Sequence, residues 1–144
     1  RDQLIHILGL DRELRVAIVG AGNLGQALAD YRGFNSEGCH IVAMFDNSPV
    51  KEGSRYRAWV PVHHIQDHER VIQDEKVNIV VLAIPLGEAQ SVLDRLAAVG
   101  VRAILNFVPD RLRVDEGIFI RNVVLKIQLV GLAFHLAQVR TADS

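Results

Sequence analysis

A single cysteine, Cys39, excludes any disulfide within the chain. One cysteine also suits a reducing compartment, so a cytoplasmic location is expected. Cys39 opens an apolar run, where a small packed residue is the simpler reading than a reactive thiol. The formal net charge of −1 lacks the basic excess that a nucleic-acid surface requires. No apolar run approaches the roughly 20 residues of a membrane span, so no membrane partner is expected. Of the six histidines, His63 and His64 are adjacent and would face apart on a strand. No third ligand stands at metal spacing, so the reading is surface histidines and no metal. Catalytic signals are thin as well. Hydride transfer to a carbonyl needs a placed general acid, yet the segment where one would sit reads Asn106-Phe107-Val108 rather than a His, Lys or Tyr pair. No catalytic residue is assigned and the chain is not expected to be an enzyme.

What is present is apolar and periodic. With 144 residues, 49% hydrophobic and 23% charged, the chain is long enough for one domain with a real core. Its organising stretch is Val16-Ala17-Ile18-Val19 followed by Gly20-Ala21-Gly22-Asn23-Leu24-Gly25. A strand, a Gly-x-Gly-x-x-Gly turn and a helix start come in the order a dinucleotide site needs. Gly20 permits the tight turn, Gly22 removes the Cβ that would hold backbone away from a pyrophosphate, and Gly25 permits close helix–strand packing. Free N–H groups and the helix dipole then attract phosphate. A second strand-like run, His40–Phe45, ends in Asp46, 21 positions after Gly25. An acid there can accept hydrogen bonds from the adenosine ribose and repel a 2′-phosphate, which favours NAD(H) over NADP(H). Asp46-Asn47-Ser48-Pro49 is also good turn chemistry, and the two roles are compatible. Lys51, Arg55 and Arg57 follow in the next loop.

The remaining chain alternates. The pattern predicts a helix over Leu24–Tyr31 capped by Gly33, an edge strand near Val60-Pro61-Val62, and a surface helix over Gln66–Glu75 with Val71 and Ile72 inward. Val77–Ile84 is the strongest strand, apolar enough for burial on both faces, and Pro85 stops it. A helix over Gly87–Val99, a fifth strand over Val101–Leu105 and a sixth over Gly117–Val123 complete the series. The fold class implied is α/β, a Rossmann-like, doubly wound, mostly parallel sheet. Ligands of such sheets lie beyond the carboxyl ends of the strands, which places a nicotinamide half near Ala83-Ile84-Pro85 and Asn106-Phe107-Val108. Residues 1–10 carry an apolar stripe and read as a linker helix from an upstream part, and residues 1–123 form the dinucleotide-binding domain. Val124–Gln138 is apolar almost all round, more than one sheet can cover, so residues 124–144 are expected to form a dimerisation helix.

Several of these pieces coincide with a known family. Ile7-Leu8-Gly9-Leu10, the run Val19–Leu28, Tyr31-Arg32-Gly33-Phe34, Val42–Asp46 and Ala103–Pro109 together resemble the core domain of the Rex redox-sensing transcriptional repressors. The resemblance implies a homodimer that senses the NADH to NAD⁺ ratio, with the final helix exchanged between subunits and Leu125 near the partner's nicotinamide pocket. It implies operator binding through an N-terminal winged helix, which these residues do not include, and release of the operator by NADH. An acid commonly opens the exchanged helix in that family. Here Val124 stands in its place with Lys126 close behind, and valine accepts neither a hydrogen bond nor an ion pair. Two other classes share the glycine turn: a nucleotide-binding piece of an NAD-dependent oxidoreductase, and a CoA-binding module. Asp46 separates the second, because it would repel the 3′-phosphate of CoA placed beside it.

Overall fold

The computed structural model describes residues 13–31, 38–47, 60–85, 87–109, 111–123 and 136–137. The expected linker helix, the Gly33 cap, Lys51 with its loop, and the expected dimerisation helix with Leu125 fall outside the described residues, Leu136 and Ala137 excepted.

Six strands form one sheet, in the order β3-β2-β1-β4-β5-β6. They are β1 (Leu14–Val19), β2 (Cys39–Asp46), β3 (Val62–His64), β4 (Ile79–Leu82), β5 (Ala103–Asn106) and β6 (Phe119–Asn122). All five pairings are parallel. Three described helices connect them: α1 (Asn23–Asp30), α2 (His68–Asp74) and α3 (Ala89–Ala98). A parallel sheet covered on both faces should be apolar on both, and its strands show this residue by residue. Ala17, Val19, Ala43, Phe45, Val80, Leu82 and Ile104 pack with Val71 and Ile72 of α2 and with Leu93 and Leu96 of α3. Their neighbours Val16, Ile18, Met44 and Val81 pack on the opposite face with Ala29 of α1. The alternation is the two-residue period of a strand.

The ends of the elements differ from the sequence reading for identifiable reasons. Arg15 and Asn78 bind one another twice, through Arg15 N–H to Asn78 Oδ1 (2.8 Å) and Asn78 N–H to Arg15 O (2.8 Å), so β4 begins at Ile79 and not at Val77. Val101 donates its N–H to Leu96 O (3.1 Å) and belongs to the close of α3, so β5 starts at Ala103. The Gln66–Glu75 segment splits into a 3₁₀ turn, Ile65–Asp67, and the shorter α2, with Val71 and Ile72 buried as expected. The segment around Pro61 lies at the sheet edge as expected. Pro61 has no N–H to give, and its carbonyl accepts from Met44 N–H (3.0 Å).

The strand order sets where a ligand can sit. The chain steps outward from β1 through β2 to β3, then crosses to β4 on the other side of β1. Loops leaving β1 and β4 therefore part in opposite directions and open a crevice at their carboxyl ends.

Candidate functional site

That crevice is a cavity of about 770 Å³, within the range of small-molecule and cofactor sites. The glycine turn forms one wall. Gly20 sits at φ +117°, a conformation that residues with a Cβ rarely adopt, and a Cβ there would collide with the Ala83 carbonyl. Its N–H donates to Phe45 O (2.7 Å), which ties the turn to β2. A Cβ on Gly25 would collide with the Gly20 carbonyl, so α1 packs directly on the turn. Gly22 is different. Among the described residues a Cβ there meets nothing within 4 Å, yet the residue lines the cavity. Among the described residues, packing therefore explains Gly20 and Gly25 but not Gly22, whose missing side chain leaves the cavity open at this point. Gly22 is also the N-cap of α1 and supplies no side-chain cap, which leaves the first turn of the helix suited to an anion.

Asp46 ends β2 beside this turn, and its Oδ2 accepts from Ala21 N–H (3.1 Å). The carboxylate thus fixes the glycine turn as well as lining the cavity, a second task that spacing alone did not reveal. Asn47 follows it on the same wall. His64 pairs in register with Asp46 across β2 and β3 and also lines the cavity, with Ile65 and Gln66. The sequence reading of both histidines as surface residues needs correction, because each is half-buried. His64 Nδ1 accepts from Gln66 N–H (3.1 Å), and His63 tilts against Phe45 with ring centroids 6.0 Å apart. Burial, reinforced by the nearby Arg70 charge, lowers the His63 pKa below its ordinary value, against weaker opposing effects of Asp67 and Glu75. Among the described residues, no group of three His, Cys, Asp or Glu side chains is placed to hold a metal ion.

Beyond β1 the cavity changes character. Ala83, Ile84 and Pro85 leave β4, and Phe107, Val108 and Pro109 leave β5. Ala83 N–H to Val19 O (2.8 Å) and Phe107 N–H to Leu82 O (3.0 Å) carry the ladders past the strand ends and hold these segments close together. Asn106 does not line the cavity and is corrected accordingly. Like Ile104 it points into the protein, is buried, and accepts from Val108 N–H (3.0 Å) while its amide donates to Val108 O (2.9 Å) and Asn122 Oδ1 (2.9 Å). Through these bonds it holds Val108, which lines the cavity floor on the β5 side. Gly25 is likewise outside the cavity lining. Of the other expected contacts, Gly20, Ala21, Gly22, Asn23, Leu24, Asp46, Asn47, Ala83, Ile84, Pro85, Phe107 and Val108 all meet there. Sequence reasoning missed one polar stripe, Glu88, Ser91 and Arg95 along α3 and its N-cap, with the apolar Val92 beside it. Its helical spacing is visible in the sequence, but not the direction in which it faces.

Residues 11–110 match the family described as CoA binding domain. The redox-sensing transcriptional repressor Rex of Streptomyces coelicolor is 49% identical over 133 residues, covering 92% of this chain and 51% of that protein. The solved structure of RSP, a Rex-family repressor, superposes with a TM-score of 0.84 at 36% identity, covering 99% of this chain and 68% of RSP. The chain belongs to the Rex family. RSP has been solved with β-NADH (TM-score 0.84, 36% identity, 99% and 68% coverage). It has also been solved with β-NAD⁺ and operator DNA (TM-score 0.83, 36% identity, 99% and 65% coverage). These Rex relatives are transcriptional repressors and not enzymes. The chain spans about half the length of the curated Rex protein of Streptomyces coelicolor.

Proposed function

We propose that this chain is the NAD(H)-binding, redox-sensing core of a Rex-type transcriptional repressor. The observation that carries the reading is Gly22, a glycine that no contact among the described residues requires, facing a cavity at the point where the strand order reverses. Asp46 at the end of β2 supports it, positioned for the adenosine ribose hydroxyls and held in place by Ala21 N–H. The NADH and NAD⁺ complexes of RSP support the choice of ligand. In this reading the adenosine diphosphate half lies along Gly20–Gly25, Asp46 and Asn47, and Lys51, which follows in the sequence, is proposed as a further contact. The nicotinamide half lies against Ala83-Ile84-Pro85 and Phe107-Val108, where apolar walls hold the ring without reacting it.

Residues 1–123 would then be the sensing domain and residues 124–144 the segment that builds a homodimer, with Leu125 reaching the partner's nicotinamide pocket. Operator binding belongs to a winged helix that is not among these 144 residues. Isothermal titration with NADH, NAD⁺, NADPH and CoA in turn tests the reading. NADH and NAD⁺ should bind in preference to NADPH and CoA. Binding of CoA with neither NAD form would overturn it.

A further inference from the structure

Three side chains lining the cavity among the described residues are Asp, Glu, Lys or Arg: Asp46, Glu88 and Arg95. Asp46 stands on β2, two strands away from β4, or about 10 Å at ordinary strand spacing. Glu88 is on the other side of the switch point. It is the N-cap of α3, three residues after Pro85, and its N–H donates to Pro85 O (3.3 Å). Its position is thus fixed to the turn that forms the apolar end of the cavity. Arg95 lies seven residues further, about 10 Å along α3. Crossover helices run antiparallel to their strands, so Arg95 is farther than Glu88 from the carboxyl ends. Among the described residues no cation lies within ion-pair distance of Glu88.

NAD⁺ and NADH share every group except the nicotinamide ring. The oxidised ring carries a positive charge and the reduced ring is neutral. The pyrophosphate and both riboses contribute equally to the two forms and cancel from the ratio of their affinities. A ligand pair can shift a sensor only through such a difference. What remains is the field at the ring, and among the described residues Glu88 is the anion beside the segments assigned to that ring.

We propose that the Glu88 carboxylate selectively stabilises the oxidised ring and so sets the NADH/NAD⁺ ratio at which the site changes occupant. The inference rests on the reading of this cavity as an NAD(H) site. Glu88 lowers the preference for NADH and raises the ratio needed to fill the site with it. Arg95 acts in the opposite sense and more weakly, because it is more distant.

The test is calorimetric titration of the chain with NAD⁺, NADH and ADP-ribose, which lacks the ring, for wild type, Glu88→Gln and Arg95→Gln. Glu88→Gln should raise Kd(NAD⁺)/Kd(NADH) about three- to tenfold, the scale of one exposed charge a few ångströms from another. The change should come from weaker NAD⁺ and leave ADP-ribose unaltered. It should also shrink in high salt. Arg95→Gln should lower the ratio by a smaller factor, whatever it does to all three ligands together through the pyrophosphate. An unchanged ratio in Glu88→Gln, or a parallel loss of ADP-ribose and NAD⁺, overturns the proposal while leaving the NAD(H) site intact. A wild-type chain that binds none of the three overturns the site reading and this inference together.

Discussion

The two halves of the cavity are built by different means. On the β1–β2 side the wall is main chain: a glycine turn at φ +117°, its N–H on Phe45, and one carboxylate closing on Ala21. On the β4–β5 side the wall is made of side chains and supported by others. Asn106 reaches both polar groups of Val108 and crosses to Asn122 on β6, and the helix α3 lends a polar stripe. The first half suits a moiety common to many ligands, a pyrophosphate and a ribose. The second can vary its side chains without altering the turn, so discrimination between ligand forms is free to reside there.

The largest effect expected on this contrast is at Gly20. Gly20→Ala adds a Cβ at positive φ and against the Ala83 carbonyl, a main-chain group that cannot rotate aside. Backbone strain and overpacking each cost about 1–3 kcal/mol. Thermal unfolding should fall by roughly 10 °C or more. A variant melting with wild type would show that the turn is less fixed than the contrast requires.

Asn106→Leu probes the other half. It leaves Val108 N–H and C=O without their side-chain partner, at about 1–3 kcal/mol for each unsatisfied group. Beyond the loss of stability, NADH affinity should fall toward that of ADP-ribose, whose own affinity stays level. Equal weakening of both ligands would mean that Asn106 supports the whole cavity and not the β5 floor alone.

A smaller effect is expected at Asp46. Because Asp46 also holds Ala21 N–H, Asp46→Asn is the informative change: it keeps an acceptor for that bond and removes the charge. Loss of a charge-assisted hydrogen bond corresponds to about 1.5–3 kcal/mol, or roughly 10- to 150-fold weaker NADH. NADPH should not weaken in parallel. If discrimination between the two cofactors survives, the carboxylate does not read the ribose.

The smallest expected effect concerns pH. Burial, then the Arg70 charge, depresses the His63 pKa, so the unfolded chain takes up a proton first as pH falls below the ordinary value of 6.5. Stability contributed by the neutral, Phe45-packed ring is present above that pH and is lost on acidification toward the depressed folded value. His63→Gln should flatten the decline of the urea midpoint between pH 7.5 and 5.5 by a small amount. A steeper decline in the variant would contradict the sign.

The contrast also explains what could be read from the chain beforehand. The β1–β2 wall is contiguous: Gly20–Gly25 carries its geometry in local spacing, and Asp46 lies at the end of the next apolar run. The Rossmann-like sheet was legible for the same reason, since each strand is a short apolar run between turn signals. The β4–β5 wall was legible only in outline. Ala83–Pro85 and Phe107–Val108 follow strand ends, whereas Asn106 is still part of β5 and its side chain obeys the two-residue period of that strand. Ile104 and Asn106 share the inward face. The α3 stripe and His64–Gln66 converge on the cavity only through the strand order, which places β3 and β4 on opposite sides of β1. A polar stripe on a helix looks alike in sequence whether it faces water or a ligand.

Gly22 matters most to the placement of the dinucleotide, as the one glycine of the turn that no contact among the described residues explains. NADH titration of Gly22→Val, beside a thermal melt, is therefore the most direct test. A Val side chain there extends from a Cβ position with no atom of the described residues within 4 Å, and φ −81° is open to any residue. The variant should keep a cooperative melt, with about 1 kcal/mol lost from a poorer N-cap. Its NADH affinity should drop by at least about 100-fold, or roughly 2.8 kcal/mol. A folded Gly22→Val chain that binds NADH as tightly as wild type would contradict the claim that the dinucleotide lies in this cavity.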